Sequence, residues 1–409
     1  MIREKTYIGC FIGGFVCTAH AQNSISLYGI VDLGVTYVSN AQTGKTGGAL
    51  SGAHQFALTD GTATGASGSR WGLRGTEDLG GGLKSLFVIE NGFTANNGAL
   101  AQGGTEFGRQ AYVGIAGGSG AVTLGRQYDT LVDFLQPLAV VGQWAGYMGT
   151  HPDDVDNLAN TNRINNAVKF TTAAYHGLSA GAAYSFGGTA GSITQNQIWS
   201  LGAGYTGGSL SLGAGYLNAR DPNISFYGNT PNKGGVTADN MGGLGSATSA
   251  QSNPVFAGYA SAKTTEIFGV GAAYTFSATT LGLVATNTRF ESLGSASGPN
   301  PFGYSGTAQF TNLELSVRTR VTPTLLLGTA FDYMRRNSVK GDDGARYLQF
   351  DLGADYNLSK RTDLYALAVL QHASGRDSLD QPVVASISGF SPSTTSKQVG
   401  VRVALRHKF

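Results

Sequence analysis

Residues that could carry bond-making chemistry are scattered in this chain, and none falls into a working pattern. Six histidines stand at His20, His54, His151, His176, His372 and His407, and no two have metal-ligand spacing. There is no G-x-S-x-G nucleophile elbow, no H-E-x-x-H and no C-x-x-C pair. Gly202-Ala-Gly204-Tyr-Thr-Gly207 has the G-x-G-x-x-G spacing. It spans a tight turn between antiparallel strands, with no crossover helix to receive a pyrophosphate. Gly44-Lys45-Thr46 ends like a P-loop, but Ser39 stands where the first glycine is required. Asp153, Asp154 and Asp156 crowd together as in a Ca²⁺ loop, without the glycine and glutamate that complete one. A solvated loop face is the simpler reading. No catalytic residue, metal or cofactor is expected.

What remains is charge arranged on strands. "SRWGLRG" sets Arg70 and Arg74 against Trp71 and Leu73, and "AVKFTT" sets Lys169 against Val168 and Phe170. In the last segment, Val399, Val401, Val403 and Leu405 alternate with Gly400, Arg402, Ala404 and Arg406, and Phe409 ends the chain. A period of two is a strand with one apolar and one wet face. In "SISLYGIVDLGVTYV" Leu27, Val31, Leu33, Val35 and Tyr37 oppose Asp32 and Thr36. Similar segments recur to the C-terminus, with Tyr184, Tyr205, Tyr216, Tyr274, Tyr333, Tyr356 and Tyr365 near their ends, like aromatic girdles.

Composition narrows the setting. Glycine reaches 62 of 409 residues, about twice the usual ~7% share, and charged residues only 13% against a usual ~25%. A net charge of +2 gives no reason to expect nucleic acid. Arg3 and Lys5 precede an apolar run and an Ala19-His20-Ala21 cleavage site, which reads as a signal peptide over residues 1–21. Cys10 and Cys17, the only cysteines, fall inside it, so the mature chain has no disulfide. Beyond it no apolar run reaches the 18 or more residues of a membrane helix.

The links between strands alternate in length. Short turns are expected at 77–82, 117–120, 175–177, 206–209, 277–280, 320–323 and 357–360, and long polar links at 40–67, 128–162, 219–263 and 291–306. Seven turns plus a closure between the last strand and the first, near 24–38, make sixteen strands. Closure is required if the sheet sits in hydrocarbon, which offers no hydrogen bonds to an open edge. The fold expected is all-β: one domain, 22–409, forming a sixteen-stranded antiparallel transmembrane barrel.

Several segments, "SLYGIVDLGV", "SGSRWGLRGTEDLGGGLKSLFVIENGF", "FGRQAYVGI", "VTLGRQYD" and the terminal Phe, resemble the general porins of Gram-negative bacteria, in the branch typical of beta-proteobacteria. The resemblance runs over essentially the whole mature chain. It implies a homotrimer in the outer membrane, with short periplasmic turns and long external loops, the third of which folds into each channel. Its partners would be membrane lipid and lipopolysaccharide outside, small hydrophilic solutes and ions inside, and the barrel assembly machinery, for which Phe409 would be the signal. It also implies a constriction of basic wall residues facing acidic loop residues. Arg70, Arg74, Arg109, Arg163 and Lys169 match the wall set, and Asp129, Asp133 and Glu90 are the nearest acids.

Two features depart from that pattern. Arg109 has the parity of Ala111, Val113 and Ile115, an apolar face, and "LQPLAVVGQWAGYMG" in mid-loop carries no carboxylate. Trp144 and Tyr147 either narrow the opening or pack the loop on the wall. The function expected is passive diffusion with mild anion preference; a substrate-specific channel and an adhesive barrel acting through the 219–263 loop are the alternatives.

Overall fold

The computed structural model describes residues 24–230, 238–296 and 298–409, so the expected signal peptide lies outside the described residues. One antiparallel sheet forms the wall and closes on itself. Strand β1 (Ser24–Thr46) pairs along Leu33–Thr46 with β2 (Ala49–Asp60) and along Ser24–Ile30 with β3 (Arg70–Gly80). Together β2 and β3 act as one wall strand, interrupted by α1 (Gly61–Thr64) and the residues after it. The wall continues through β4 (Leu83–Gly92), β5 (Gln110–Gly117), β6 (Gly120–Gln127), β7 (Ile164–Thr172), β8 (Leu178–Ser185), β9 (Ile198–Gly207) and β10 (Leu210–Arg220). A two-residue hairpin, β11 (Ala238–Asp239) and β12 (Gly242–Gly243), belongs to a loop. Then come β13 (Thr264–Phe276), β14 (Thr279–Leu293), β15 (Gly306–Arg320), β16 (Leu325–Arg336), β17 (Ala345–Asn357), β18 (Thr362–Gly375) and β19 (Lys397–Lys408). With β2 and β3 counted once, sixteen wall strands result.

The last strand closes the ring. Register runs from Ile30 opposite Lys408 to Val38 opposite Gly400, and Gly29 and Phe409 exchange two backbone hydrogen bonds of 3.0 Å. Parity assigns the faces as the alternation predicts: Leu27 is 61% exposed on the outside, while Asp32 is fully buried inside. All seven short turns are found at one end of the barrel.

Two local expectations change. The link over 40–67 is mostly strand: β1 runs to Thr46, turns at Gly47 and Gly48, whose φ values of +59° and +83° suit glycine, and returns as β2. Here "SNAQTGKT" lacks alternation, so pairing is carried by the backbone ladder rather than by a buried face. Tyr365 is no girdle aromatic. Its ring lies inside, 3% exposed, where its hydroxyl donates to Asp32 at 2.7 Å.

The interior is occupied by the segment 128–163 between β6 and β7, which carries α2 (Thr130–Phe134) and α3 (Val140–Gln143). Its apolar side chains lie on inward glycines of the wall. Phe134 covers Gly202 and Gly204, Leu135 covers Gly269 and Gly271, and Trp144 covers Gly328 and Gly353. A methyl group at any of these would overlap the side chain above it, so the glycine excess is partly a seat for the loop. The apparent nucleotide string, Gly202 to Gly207, is part of that seat.

Candidate functional site

With the loop packed over β8–β19, a passage of about 1120 Å³ is left against β3–β7. Its charged lining, among the described residues, consists of Arg70, Arg109, Arg126, Arg163 and one carboxylate, Glu90. Arg70 opens β3 on the inward parity of that strand. Arg109 and Arg163 stand one residue before β5 and β7, so strand parity does not govern them. That frees Arg109 from the outward face of Val113 and Ile115, and its buried guanidinium Nε donates to Glu90 Oε1 at 2.6 Å.

Glu90 sits on the same wall as the arginines. It also accepts from Tyr28 Oη at 3.0 Å and lies 3.9 Å from Arg70 Nε. Arg163 has no carboxylate partner among the described residues: its Nη1 donates to the Thr161 carbonyl at 3.2 Å, and its Nε is buried without a partner. Burial and the adjacent Arg109 bring its pKa down to about 10, which leaves it charged at neutral pH.

Arg126 escaped the sequence reading. Its parity is that of outward Val122 and Leu124, but the pairing with β7 slips beside it: Gly125 faces Ala167 and Gln127 faces Ile164, so β7 carries an extra residue at Asn165–Asn166, with Asn166 at φ +51°. The guanidinium bonds to the Gly108 carbonyl at 2.8 Å and to Asn165 Oδ1.

The remaining expected site residues stand apart from the passage. Arg74 is inward but lower on β3, exposed, and its guanidinium lies 5.3 Å from the Tyr28 ring centre. Lys169 is held by Asp133, Nζ to Oδ2 2.8 Å. Asp129 is fully buried as the N-cap of α2, accepting from Val132 N at 3.0 Å and Asn157 Nδ2 at 3.0 Å. Burial pushes its pKa up to about 6. Asp153 accepts from Ser386, Asp154 from the backbone of Ala159 and Thr161, and Asp156 from Thr286, so these acids are spent on anchoring the loop. Trp144 packs on the wall, whereas Tyr147 lines the passage. Opposite the arginines the lining is neutral: Gln136, Tyr147, Asn160, Phe226 and Tyr227 are among its members.

A family model described as Gram-negative porin matches residues 12–376. An outer membrane porin protein of Bordetella pertussis is 30% identical over 99% of this chain and 100% of its own length. Outer membrane porin protein 32 of Delftia acidovorans is 32% identical over 53% of this chain and 58% of its own. Among solved structures, the anion-selective porin from Comamonas acidovorans superposes with a TM-score of 0.67 at 23% identity, covering 95% of this chain and 100% of that one. The chain belongs to the Gram-negative porin family and is a β-barrel channel of the outer membrane.

Proposed function

We propose that the channel is a general diffusion pore for small hydrophilic solutes with a preference for anions. One observation carries this reading: among the described residues, four arginines and a single carboxylate line the passage, and the facing 128–163 loop contributes no acid to it. Narrow passages with low-dielectric walls focus the field of their lining charges, so a local cationic excess outweighs a near-neutral total. Basic rings are a usual device for favouring anions. The relative from Comamonas acidovorans that shares the fold is described as anion-selective, which agrees with this reading. A homotrimer is part of it, since a structural neighbour from Vibrio cholerae is described in a trimer form. No catalytic residue is assigned.

A reversal potential in a KCl gradient tests the preference: anion selectivity at low salt, falling as salt is raised, is expected. Cation selectivity would overturn it. A substrate-specific track is the second reading, favoured by the tyrosines Tyr128, Tyr147 and Tyr227 in the lining. Conductance rising linearly with salt supports open diffusion, whereas saturation supports the track. For the adhesive reading, the described part of the 219–263 loop gives weak support, since Phe226 packs on the apolar cluster beneath the 128–163 loop and Met241 on a second cluster inside the barrel.

A further inference from the structure

We propose that the passage carries a subsite for aromatic monocarboxylates, planar rings bearing one carboxylate, built by Arg163 with Tyr147 and Tyr227. It rests on the anion-preferring reading above and narrows the class of solute. Arg163 and Tyr147 belong to the 128–163 loop, whereas Tyr227 comes from the described part of the 219–263 loop, so a second long loop lines the passage. That combination sets a cation beside aromatic faces, which is how pockets for small organic anions are commonly composed.

The charged end of such a solute falls to Arg163. Glu90 is bonded to Arg109 at 2.6 Å and lies 3.9 Å from Arg70, so those two cations share one acid. Arg126 spends its Nε on the Gly108 carbonyl at 2.8 Å and its Nη1 on Asn165. Arg163 gives Nη1 to the Thr161 carbonyl at 3.2 Å, and its Nη2 makes no hydrogen bond among the described residues. A guanidinium edge matches the two oxygens of a carboxylate, and one open edge takes one carboxylate.

The ring end falls to the tyrosines. Tyr147 stands beside the guanidinium: its hydroxyl lies 3.2 Å from Thr161 Oγ1, on the residue whose carbonyl holds Arg163. Tyr227 is close enough to Tyr147 to feel its charge. It follows the short helix α4 (Pro222–Ser225), and its N–H donates to the Ile224 carbonyl at 3.0 Å. Three contacts hold this turn over the passage. Phe226 packs on the apolar cluster beneath the channel loop, and Asn240 Nδ2 donates to the Thr230 and Asn223 carbonyls at 3.0 and 2.6 Å. Gly228, at φ +70°, passes so near the wall that Asn165 Nδ2 lies 3.0 Å from where its Cβ would stand. Val141, Phe226 and Met241 join the tyrosines in the lining. A second carboxylate placed among these side chains would lose hydration without gaining a partner, whereas an aromatic ring stacks there.

The test is block of single-channel KCl current at low salt. The probes are benzoate, acetate (the charge without the ring), benzyl alcohol (the ring without the charge) and succinate (two charges without a ring). Benzoate should half-block the wild-type channel at a concentration about tenfold below each of the others. Tyr227→Ala, in protein that keeps heat-modifiable mobility, should raise the benzoate value about fivefold and leave the KCl reversal potential unchanged, since no charge is removed. Arg163→Gln should raise the benzoate value and shift the reversal potential as well. Equal half-block by any of the other three probes, or no block by benzoate, overturns the subsite on wild-type protein alone. An unchanged benzoate value in Tyr227→Ala overturns it too. In each of these cases an anion-preferring reversal potential leaves the diffusion reading standing, whereas cation preference overturns the reading beneath it.

Discussion

The ammonium of Lys169 is held 2.8 Å from the Asp133 carboxylate and 3.0 Å from the Tyr128 carbonyl, so the wall lysine and the loop acid cancel each other outside the passage. On the proposed reading, anion preference rests on the arginines, above all Arg163, which has no carboxylate partner among the described residues. A unit charge ~8 Å from a passing ion in water-like surroundings is worth about 0.5 kcal/mol, roughly twofold in occupancy. Arg163→Gln should therefore lower the anion-to-cation permeability ratio about twofold at low salt. Lys169→Gln should leave the reversal potential unchanged. Equal shifts from both variants would mean that Lys169 also faces the ions.

A second ion pair locks the seam. Arg402 Nη2 lies 2.9 Å from Asp32 Oδ1 with neither side chain exposed, and the same guanidinium donates to Tyr365, Thr59 and Thr64. Parity alone suggests a wet inner face on which Arg402→Glu is harmless; packing by α1 and Tyr365 reverses that expectation. Breaking a buried pair costs about 3–5 kcal/mol. Val401→Arg, one residue away on the lipid face, costs about 2–4 kcal/mol near the midplane and less toward an interface. Both variants should lose folded barrel at lower temperatures in heat-modifiable gel assays. Wild-type mobility for Arg402→Glu would show that the seam does not depend on the pair.

How much of this was legible in the sequence differs from residue to residue, for physical reasons. The inward face of Arg70 follows from a period of two, because a strand with one face in lipid has no freedom of register, and the closure onto Phe409 follows from the lack of hydrogen bonds for an open edge in hydrocarbon, whereas Glu90 came with the resemblance. Arg126 stands on the outward parity of β6, which runs unbroken from buried Thr123 to buried Gln127, and only the bulge at Asn165–Asn166 on the neighbouring β7 marks the place where its guanidinium turns to Asn165. Arg109 belongs to the expected wall set, and the conflict with its apolar parity disappears because β5 begins only at Gln110. The roles of Asp129, Asp133 and Lys169 depended on the path of the 128–163 loop. That path is set by distant glycines such as Gly269 and Gly328 receiving Leu135 and Trp144, a relation between strands that no local pattern carries.

Phe409 makes only a small contribution to the finished barrel. Its backbone completes two hydrogen bonds with Gly29, and its ring, 43% exposed, lies over the same glycine. Deleting it removes one pairing from a closed sheet of sixteen strands, so thermal stability of refolded protein should fall by about 1–2 kcal/mol. Its expected role as an assembly signal makes a different demand: outer-membrane levels in cells should drop several-fold. Unchanged levels in cells would leave Phe409 as a girdle aromatic alone.

Anchoring of the channel loop should depend on pH through His151. Its Nδ1 lies 2.6 Å from Asp156 and its Nε2 3.2 Å from Glu314 on β15, with Asp332 of β16 and Asp351 of β17 close enough to act on its charge. Burial opposes charge on the imidazole, yet the Asp156 carboxylate raises its pKa well above the ordinary value. A raised histidine contributes stability that is complete below its unfolded pKa, ~6.5, and is lost as pH rises through the folded value. On the same loop Asp153 and Asp154 are pushed up to about 7 by burial, so the folded loop holds their protons, and that advantage is lost between ~4 and about 7. Asp156 runs the other way: burial opposes its charge, but His151 holds its pKa below the usual carboxylate range, so its contribution is present above ~3.9 and lost in acid. The loop should therefore be held best in mild acid and loosen above neutrality. Open-channel current noise, and protease cleavage within 128–163, should increase from pH 5.5 to 9, while the strands stay intact. His151→Gln should remove much of that pH dependence and be noisy at both values. Quieter current at pH 9 than at pH 5.5 in the wild type would show that the loop is not latched through this pair.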